Sequence, residues 1–90
     1  MAADAKEFEL TVTTPDGTAF KDKVIQVSVR GVEGDLAVLA GHIPFVTSIV
    51  PAECRIYLTN GDILRFSSGS GLLSVTHECV TLLTSSAVFS

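Results

Sequence analysis

Residues 55–67 read Arg-Ile-Tyr-Leu-Thr-Asn-Gly-Asp-Ile-Leu-Arg-Phe-Ser, and they carry the clearest hairpin pattern in the chain. At the centre, Asn60-Gly61 favours a tight turn because both residue types tolerate the backbone angles of short hairpin connections. The flanking segments, residues 55–58 and 63–67, contain the β-branched and aromatic side chains that suit a pleated sheet. The stretch therefore predicts two antiparallel strands joined by a tight turn.

The same kind of alternation extends outward from this hairpin. Two strands show it most clearly through their apolar residues, which are Phe8, Leu10 and Val12 in the first and Ile25, Val27 and Val29 in the second. A Pro-Asp-Gly turn lies between them at residues 15–17. Further strands are predicted at residues 36–39, 45–50, 73–75 and 79–83.

The high content of β-branched residues indicates the fold class. Val, Ile and Thr account for 25 of the 90 residues, and no segment has apolar residues at helical spacing. We therefore expect an all-β fold, an antiparallel β-sandwich or flattened barrel of about 8–10 short strands. It is expected to form a single domain over residues 1–90, with residues 1–6 and 85–90 as loose ends.

Charge and hydropathy exclude several classes of function. Ten acidic and 6 basic side chains give a formal charge of −4, and the basic residues are scattered. A nucleic-acid binder needs a positive stripe, so no nucleic-acid partner is expected. The chain also lacks an apolar run of about 20 residues, the length that crosses a bilayer, and the first ten residues do not predict a signal peptide. We expect a cytoplasmic protein without direct insertion into lipid.

The chemistry-bearing residues do not form a recognisable site. Cys54 and Cys79 lie in apolar strand patterns and are expected to be buried thiols without a disulfide. His42 and His77 are too far apart in sequence to indicate a metal centre, and no G-x-S-x-G motif is present. A Cys–His pair formed in space stays open. We expect no enzymatic activity, metal or cofactor.

Two glycine-containing segments of the sequence have different structural interpretations. Gly69-Ser70-Gly71 lacks the following helix of a dinucleotide fingerprint and is interpreted as a bend between strands. Residues 31–49 combine three glycines with acids, a histidine and apolar side chains. This segment is either a connection with Leu36, Val38 and Leu39 in the core, or a shaped loop that presents Asp35, His42 and Phe45 to a partner.

Residues 33–47 add a specific motif. They read Glu-Gly-Asp-Leu-Ala-Val-Leu-Ala-Gly-His-Ile-Pro-Phe-Val-Thr. This resembles the E-G-D-x-x-x-L-x-G-H-x-P-x-x-T signature of the epsilon-subunit family of rotary F-type ATP synthases. The resemblance runs from about Phe8 to Val88, although Ala37 and Ala52 stand where such proteins often carry glycine.

The resemblance implies a mechanical and non-catalytic role. Proteins of this family use the β-sandwich in the central stalk, where it grips the gamma subunit and rests on the c-ring, at the cytoplasmic face of the energy-transducing membrane. The implied partners are therefore gamma, through an apolar patch, and the c-ring. The helical hairpin that follows the sandwich in the family, and inhibits ATP hydrolysis, is expected to be absent.

The resemblance also implies roles for individual residues. The residues expected to face the polar c-ring loops are Glu33, Asp35, His42, Pro44 and Phe45. The glycines expected to hold turns are Gly34, Gly41, Gly69 and Gly71. The alternative function is a free-standing β-sandwich module that recognises a small ligand or peptide at the loop of residues 31–44.

Overall fold

Nine strands make up the fold in the computed structural model, which describes residues 7–41, 43–77 and 79–90. In chain order they are β1 (Phe8–Thr14), β2 (Gly17–Gly31), β3 (Gly34–Leu39), β4 (Phe45–Ile49), β5 (Ala52–Leu58), β6 (Ile63–Ser68), β7 (Gly71–Val75), β8 (Cys79–Thr84) and β9 (Ala87–Phe89). No helix occurs within these ranges. The predicted all-β fold is confirmed.

The long strand β2 connects two curved layers. Its first half pairs with β1 in layer 1, which continues through β8 and β7 to β4. Its second half pairs with β3 and β5 in layer 2, which continues through β6 to β9. All pairings are antiparallel except the one between β1 and β8. The sequence predicted short strands, whereas β2 has 15 residues.

Inward-facing side chains of both layers form one core. Its members include Leu10, Val12, Val27, Ile56, Phe66, Leu73, Val80 and Leu82, which are all 2% exposed or less. These residues lie at alternate positions of their strands, as the period of a β-strand requires. The faces predicted for Val80 and Leu82 and for Phe8, Leu10 and Val12 are confirmed.

The hairpin around Asn60-Gly61 is confirmed, with a three-residue connection. Gly61 donates its backbone N–H to the carbonyl of Leu58 over 3.2 Å, and the N–H of Leu58 reaches the carbonyl of Asp62 over 2.8 Å. Gly61 has a φ of +95°, so the loop is a type I turn followed by a left-handed glycine. This geometry fixes the register of β5 against β6.

A bulge changes the expected burial in β2. The pairing of β2 with β5 shifts between Val24 and Gln26, and the shift reverses the alternation at that point. Val24 is therefore buried and Ile25 only half-buried, whereas the sequence predicted Ile25 in the core beside Val27 and Val29. In β3, Leu39 is 49% exposed rather than buried.

The expectation of a loose end at residues 85–90 is wrong. Strand β9 pairs with β6, and the ring of Phe89 stacks on Phe66 with centroids 4.9 Å apart. Phe89 also stacks on Phe20 in the first half of β2, at 6.3 Å. The short strand thus joins layer 2 to the edge of layer 1.

Candidate interaction surfaces

Glu33 lies at the tip of the hairpin between β2 and β3. Val32 and Glu33 form its two-residue connection, because Gly31 is the register partner of Gly34. Gly34 has a φ of +130°, which strongly favours glycine at this position. The N–H of Val32 donates to the carbonyl of Ser48 over 3.2 Å, which ties the turn to β4. Both Val32 and Glu33 are exposed to solvent.

Asp35 is exposed and already has a partner within the chain. Its Oδ1 accepts a hydrogen bond from Nε of Arg30 over 2.8 Å. This hydrogen bond, together with the charge of the carboxylate, raises the pKa of Arg30. Both side chains are more than half exposed, so the pair contributes little to stability. The second oxygen of the carboxylate has no hydrogen bond among the described residues.

The second half of the signature begins after β3. Gly41 has a φ of +86°, and His42 lies outside the described residues. Pro44 is exposed, whereas Phe45 begins β4 half-buried and packs against the core. Ile43 is 81% exposed and was not among the predicted site residues. The sequence feature that could have indicated Ile43 is a large apolar side chain directly before Pro44.

The two halves of the signature do not form one loop. Residues 34–39 pair regularly with β2, from Gly34 opposite Gly31 to Leu39 opposite Gln26. The four steps from Asp35 to Leu39 span about 13 Å along the strand. The interpretation of residues 31–44 as one shaped loop is therefore wrong, because the apolar residues of this segment have enough β propensity to pair as a strand.

Gly69 and Gly71 are constrained by close contacts. A Cβ atom at Gly71 would meet the carbonyl oxygen of Leu83 and lie 2.8 Å from Cα of Thr84. At Gly69 it would meet the hydroxyl groups of Ser85 and Ser86, which are ends of side chains. Neither glycine has positive φ. A side chain is thus excluded by backbone at Gly71 and hindered by movable groups at Gly69.

The outward side of layer 1, called face 1, carries an uncharged patch. One row of register partners runs Ser48, Leu72, Leu83 and Thr13 across four strands, and the next runs Val46, Ser74, Thr81 and Thr11. Three of these residues are exposed apolar side chains, namely Val46 at 61%, Leu72 at 38% and Leu83 at 46%. The sequence did not show this patch, because it is assembled by the pairing of four strands.

The outward side of layer 2, called face 2, carries charged side chains beside the exposed Leu39, Ile63 and Val88, and it contains a shallow groove. The groove has a volume of about 510 Å³ and lies over β3, β2 and β5. Arg30, Asp35, Glu53 and Arg55 line it, together with the smaller Ser28. The two faces differ in charge. The two rows described on face 1 contain no charged residue in β1, β4, β7 and β8, and Lys21 of β2 borders one of them as the register partner of Thr11.

The two cysteines differ, although both were expected to be buried. Cys54 is 1% exposed, and its Sγ lies 3.5 Å from Oγ of Ser68. Burial raises the pKa of the Cys54 thiol. Cys79 points away from the core because its neighbour Val80 points inward, so its thiol is exposed, 3.8 Å from Oε1 of Glu9.

Alkylation should therefore distinguish the two thiols. In the folded chain, we expect iodoacetamide to modify Cys79 at least about 100-fold faster than Cys54, because the reactive thiolate of Cys54 is both shielded and disfavoured. Peptide mass spectrometry gives the two rates. In denaturant both should react alike, and equal rates in the folded chain would contradict the burial of Cys54.

The described residues offer neither a metal site nor a helical membrane span. No group of three or more His, Cys, Asp or Glu side chains there is arranged to hold a metal ion. The same residues contain no helix long and apolar enough to cross a membrane.

Comparison with known families identifies the fold. The family model of the ATP synthase delta/epsilon chain β-sandwich domain matches residues 7–90. The chain belongs to this family. The match covers both layers and confirms the resemblance first seen in residues 33–47.

Individual relatives of this ATP synthase delta/epsilon domain agree. The chain is 35% identical over 81 residues to the ATP synthase epsilon chain of Clostridium perfringens, covering 90% of this chain and 61% of the relative. It is 28% identical over 79 residues to that of Clostridium kluyveri, covering 88% and 60%. The chain thus spans about three-fifths of the length of these relatives.

Solved structures show the same fold. A chain of the Euglena gracilis mitochondrial ATP synthase, in a cryo-EM structure of OSCP, F1 and c-ring, has a TM-score of 0.87 at 24% identity. That match covers 99% of this chain and 59% of the other. A chain from the Tetrahymena thermophila mitochondrial ATP synthase central stalk and c-ring has a TM-score of 0.75 at 14% identity, covering 94% and 68%.

Proposed function

We propose that this chain is a non-catalytic subunit of the central stalk of a rotary ATP synthase. In this role it binds the gamma subunit and the c-ring and helps to couple ion-driven rotation to ATP synthesis. The observation that carries the proposal is face 1, an uncharged patch with exposed leucines on a member of the delta/epsilon family. Its location is peripheral, on the energy-transducing membrane where the complex assembles.

Face 1 is the surface that fits gamma. Leu72 and Leu83 are direct register partners, and Val46 lies in the neighbouring row, two residues from Ser48 on the same side of β4. A continuous uncharged surface of Val, Leu, Ser and Thr loses little on desolvation, because it contains no charge that must leave water. Covering such a patch is favourable in proportion to the apolar area removed from water. A protein partner is therefore expected here.

The hairpin tip and the segment after β3 fit the c-ring. Glu33 and Asp35 provide carboxylates, and Val32 and Ile43 provide exposed apolar contacts beside Pro44. Carboxylates are suited to polar loops that carry cationic side chains. Since Arg30 already contacts Asp35, Glu33 is the carboxylate more available to a partner. The family resemblance assigns the same role to His42, which lies outside the described residues.

Co-purification with gamma tests the proposal. The tagged chain and the gamma subunit from the same genome are produced together, and we expect a stable one-to-one complex by size-exclusion chromatography with light scattering. Adding the detergent-solubilised c-ring should then give a ternary complex. A folded chain that fails to bind gamma would contradict the central-stalk role and favour the free-standing module, for which the groove on face 2 is the observed candidate site.

A further inference from the structure

All three arginines of the chain lie on face 2. Arg30, Arg55 and Arg65 come from β2, β5 and β6, and each is exposed. The lysines at positions 21 and 23 lie in the first half of β2, in layer 1. In a chain with a formal charge of −4, the guanidinium groups are thus concentrated on one side of one layer.

Two of these arginines lie opposite each other, and nearby carboxylates offset the repulsion between their charges only in part. Arg55 and Arg65 are register partners, so their Cβ atoms lie about 4.5–5.5 Å apart, a distance at which like charges destabilise a sheet. Arg55 has a loose contact of 3.7 Å with Oε1 of Glu53. Among the described residues, Arg65 makes no ion pair, and the carboxylate of Asp35 is engaged by Arg30.

The groove next to Arg55 can admit an extended segment. Ser28 is the register partner of both Arg55 and Ala37, so a small polar and a small apolar side chain lie across the strands from the guanidinium group. Ala52 adds a third small residue to the lining of this space of about 510 Å³. With no large side chain at these positions, a peptide backbone can approach the sheet closely.

We propose that face 2 binds an acidic segment of a partner polypeptide. Its carboxylates would pair with Arg55 and Arg65, and its backbone would lie along the groove beside Ser28. Arginine suits this task because its planar fork matches a carboxylate with two parallel hydrogen bonds. A bound carboxylate also offsets the repulsion between the two guanidinium groups. This surface is separate from face 1. The groove borders the hairpin tip through Asp35, but Arg55 and Arg65 are not among the residues assigned to gamma or the c-ring, so the inference goes beyond the proposed function.

Because the whole chain is negatively charged, binding of an acidic peptide is a stringent test of specific recognition by face 2. A formal charge of −4 repels an acidic peptide at long range, so non-specific attraction works against binding. The probe is the peptide acetyl-Glu-Ala-Glu-Ala-Glu-amide, titrated at low ionic strength into the isotopically labelled 90-residue chain and followed by NMR. We expect saturable shifts confined to the outward residues of β2, β5 and β6. The peptide with Gln in place of Glu should give none.

Matched variants separate recognition from net charge. Arg55→Gln with Arg65→Gln is expected to weaken binding at least about tenfold, while Lys21→Gln with Lys23→Gln, which removes the same charge from layer 1, should weaken it less than about threefold. Arg55→Lys with Arg65→Lys keeps the charge without the planar fork and should give an intermediate loss. All replaced side chains are exposed, so the variants are expected to fold.

Two results would overturn the assignment. One is the absence of saturable binding, and the other is an equal loss in the arginine and lysine variants, which would mean that only net charge matters. A chain that binds gamma but not the acidic peptide refutes this inference alone. A chain that binds the peptide but not gamma refutes the proposed function alone.

Discussion

Replacing Gly71 with alanine is expected to destabilise the fold by about 3 kcal/mol or more. The added Cβ atom would meet the carbonyl oxygen of Leu83 and lie 2.8 Å from Cα of Thr84, so it encounters backbone and not a movable side chain. Gly71 also pairs with Ile49, so relief of the contact must separate β7 from β8 or from β4. Urea unfolding followed by circular dichroism measures the loss as a lower midpoint.

Gly17→Ala is the matched control for this variant. A Cβ atom at Gly17 has no other atom within 4 Å, but the φ of +123° is unfavourable for alanine. Its expected cost is about 1 kcal/mol, from backbone conformation alone. If Gly71→Ala unfolds at the same urea concentration as Gly17→Ala, the close pairing of β7 and β8 at this position is wrong.

Local patterns in the sequence were sufficient for most strands. The hairpin at Asn60-Gly61 has its own turn residues, and β1, β7 and β8 alternate clearly between apolar and polar residues. In such strands the burial pattern is set by the two-residue period of the backbone, which is visible without tertiary information. The all-β fold and the faces of these strands were predicted for this reason.

The missed features depend on contacts between distant residues. Strand β9 has three residues and no pattern of its own, and it exists because Phe89 packs on Phe66 and Phe20. The burial of Val24 in place of Ile25 follows from a bulge opposite β5. A bulge reverses the alternation between its two sides, so the two-residue period that fits Val27 and Val29 misplaces Ile25.

The sequence indicated the family, but not how the expected site residues are arranged on the fold. The signature correctly indicated the family, and Glu33, Asp35 and Pro44 are exposed on the described surface. A strand was predicted at residues 36–39, but the alternative of one shaped loop stayed open, because the glycines and acids at the ends of this strand resemble a loop. The sequence also could not assign face 1, which is assembled from β1, β4, β7 and β8.

The other large expected effect concerns face 1. Leu72→Glu with Leu83→Glu should reduce the affinity for the gamma subunit at least about 100-fold, which corresponds to about 2.7 kcal/mol. The two leucines are register partners at the centre of the uncharged rows, so both carboxylates would have to leave water when gamma binds. Isothermal titration calorimetry with purified gamma gives the affinity, and thermal unfolding shows whether the variant remains folded.

Ile63→Glu with Val88→Glu controls for charge and for lost apolar surface. These side chains are 44% and 65% exposed and lie in layer 2, and the double substitution adds the same two negative charges. It should change the affinity for gamma less than about threefold, because the added charges are remote from face 1 and screened by salt. Equal loss of gamma binding in the two variants would place the contact outside face 1. Retention of full affinity by the leucine variant would also place the contact outside face 1. Two carboxylates cannot be buried at the centre of an interface without a measurable loss of affinity.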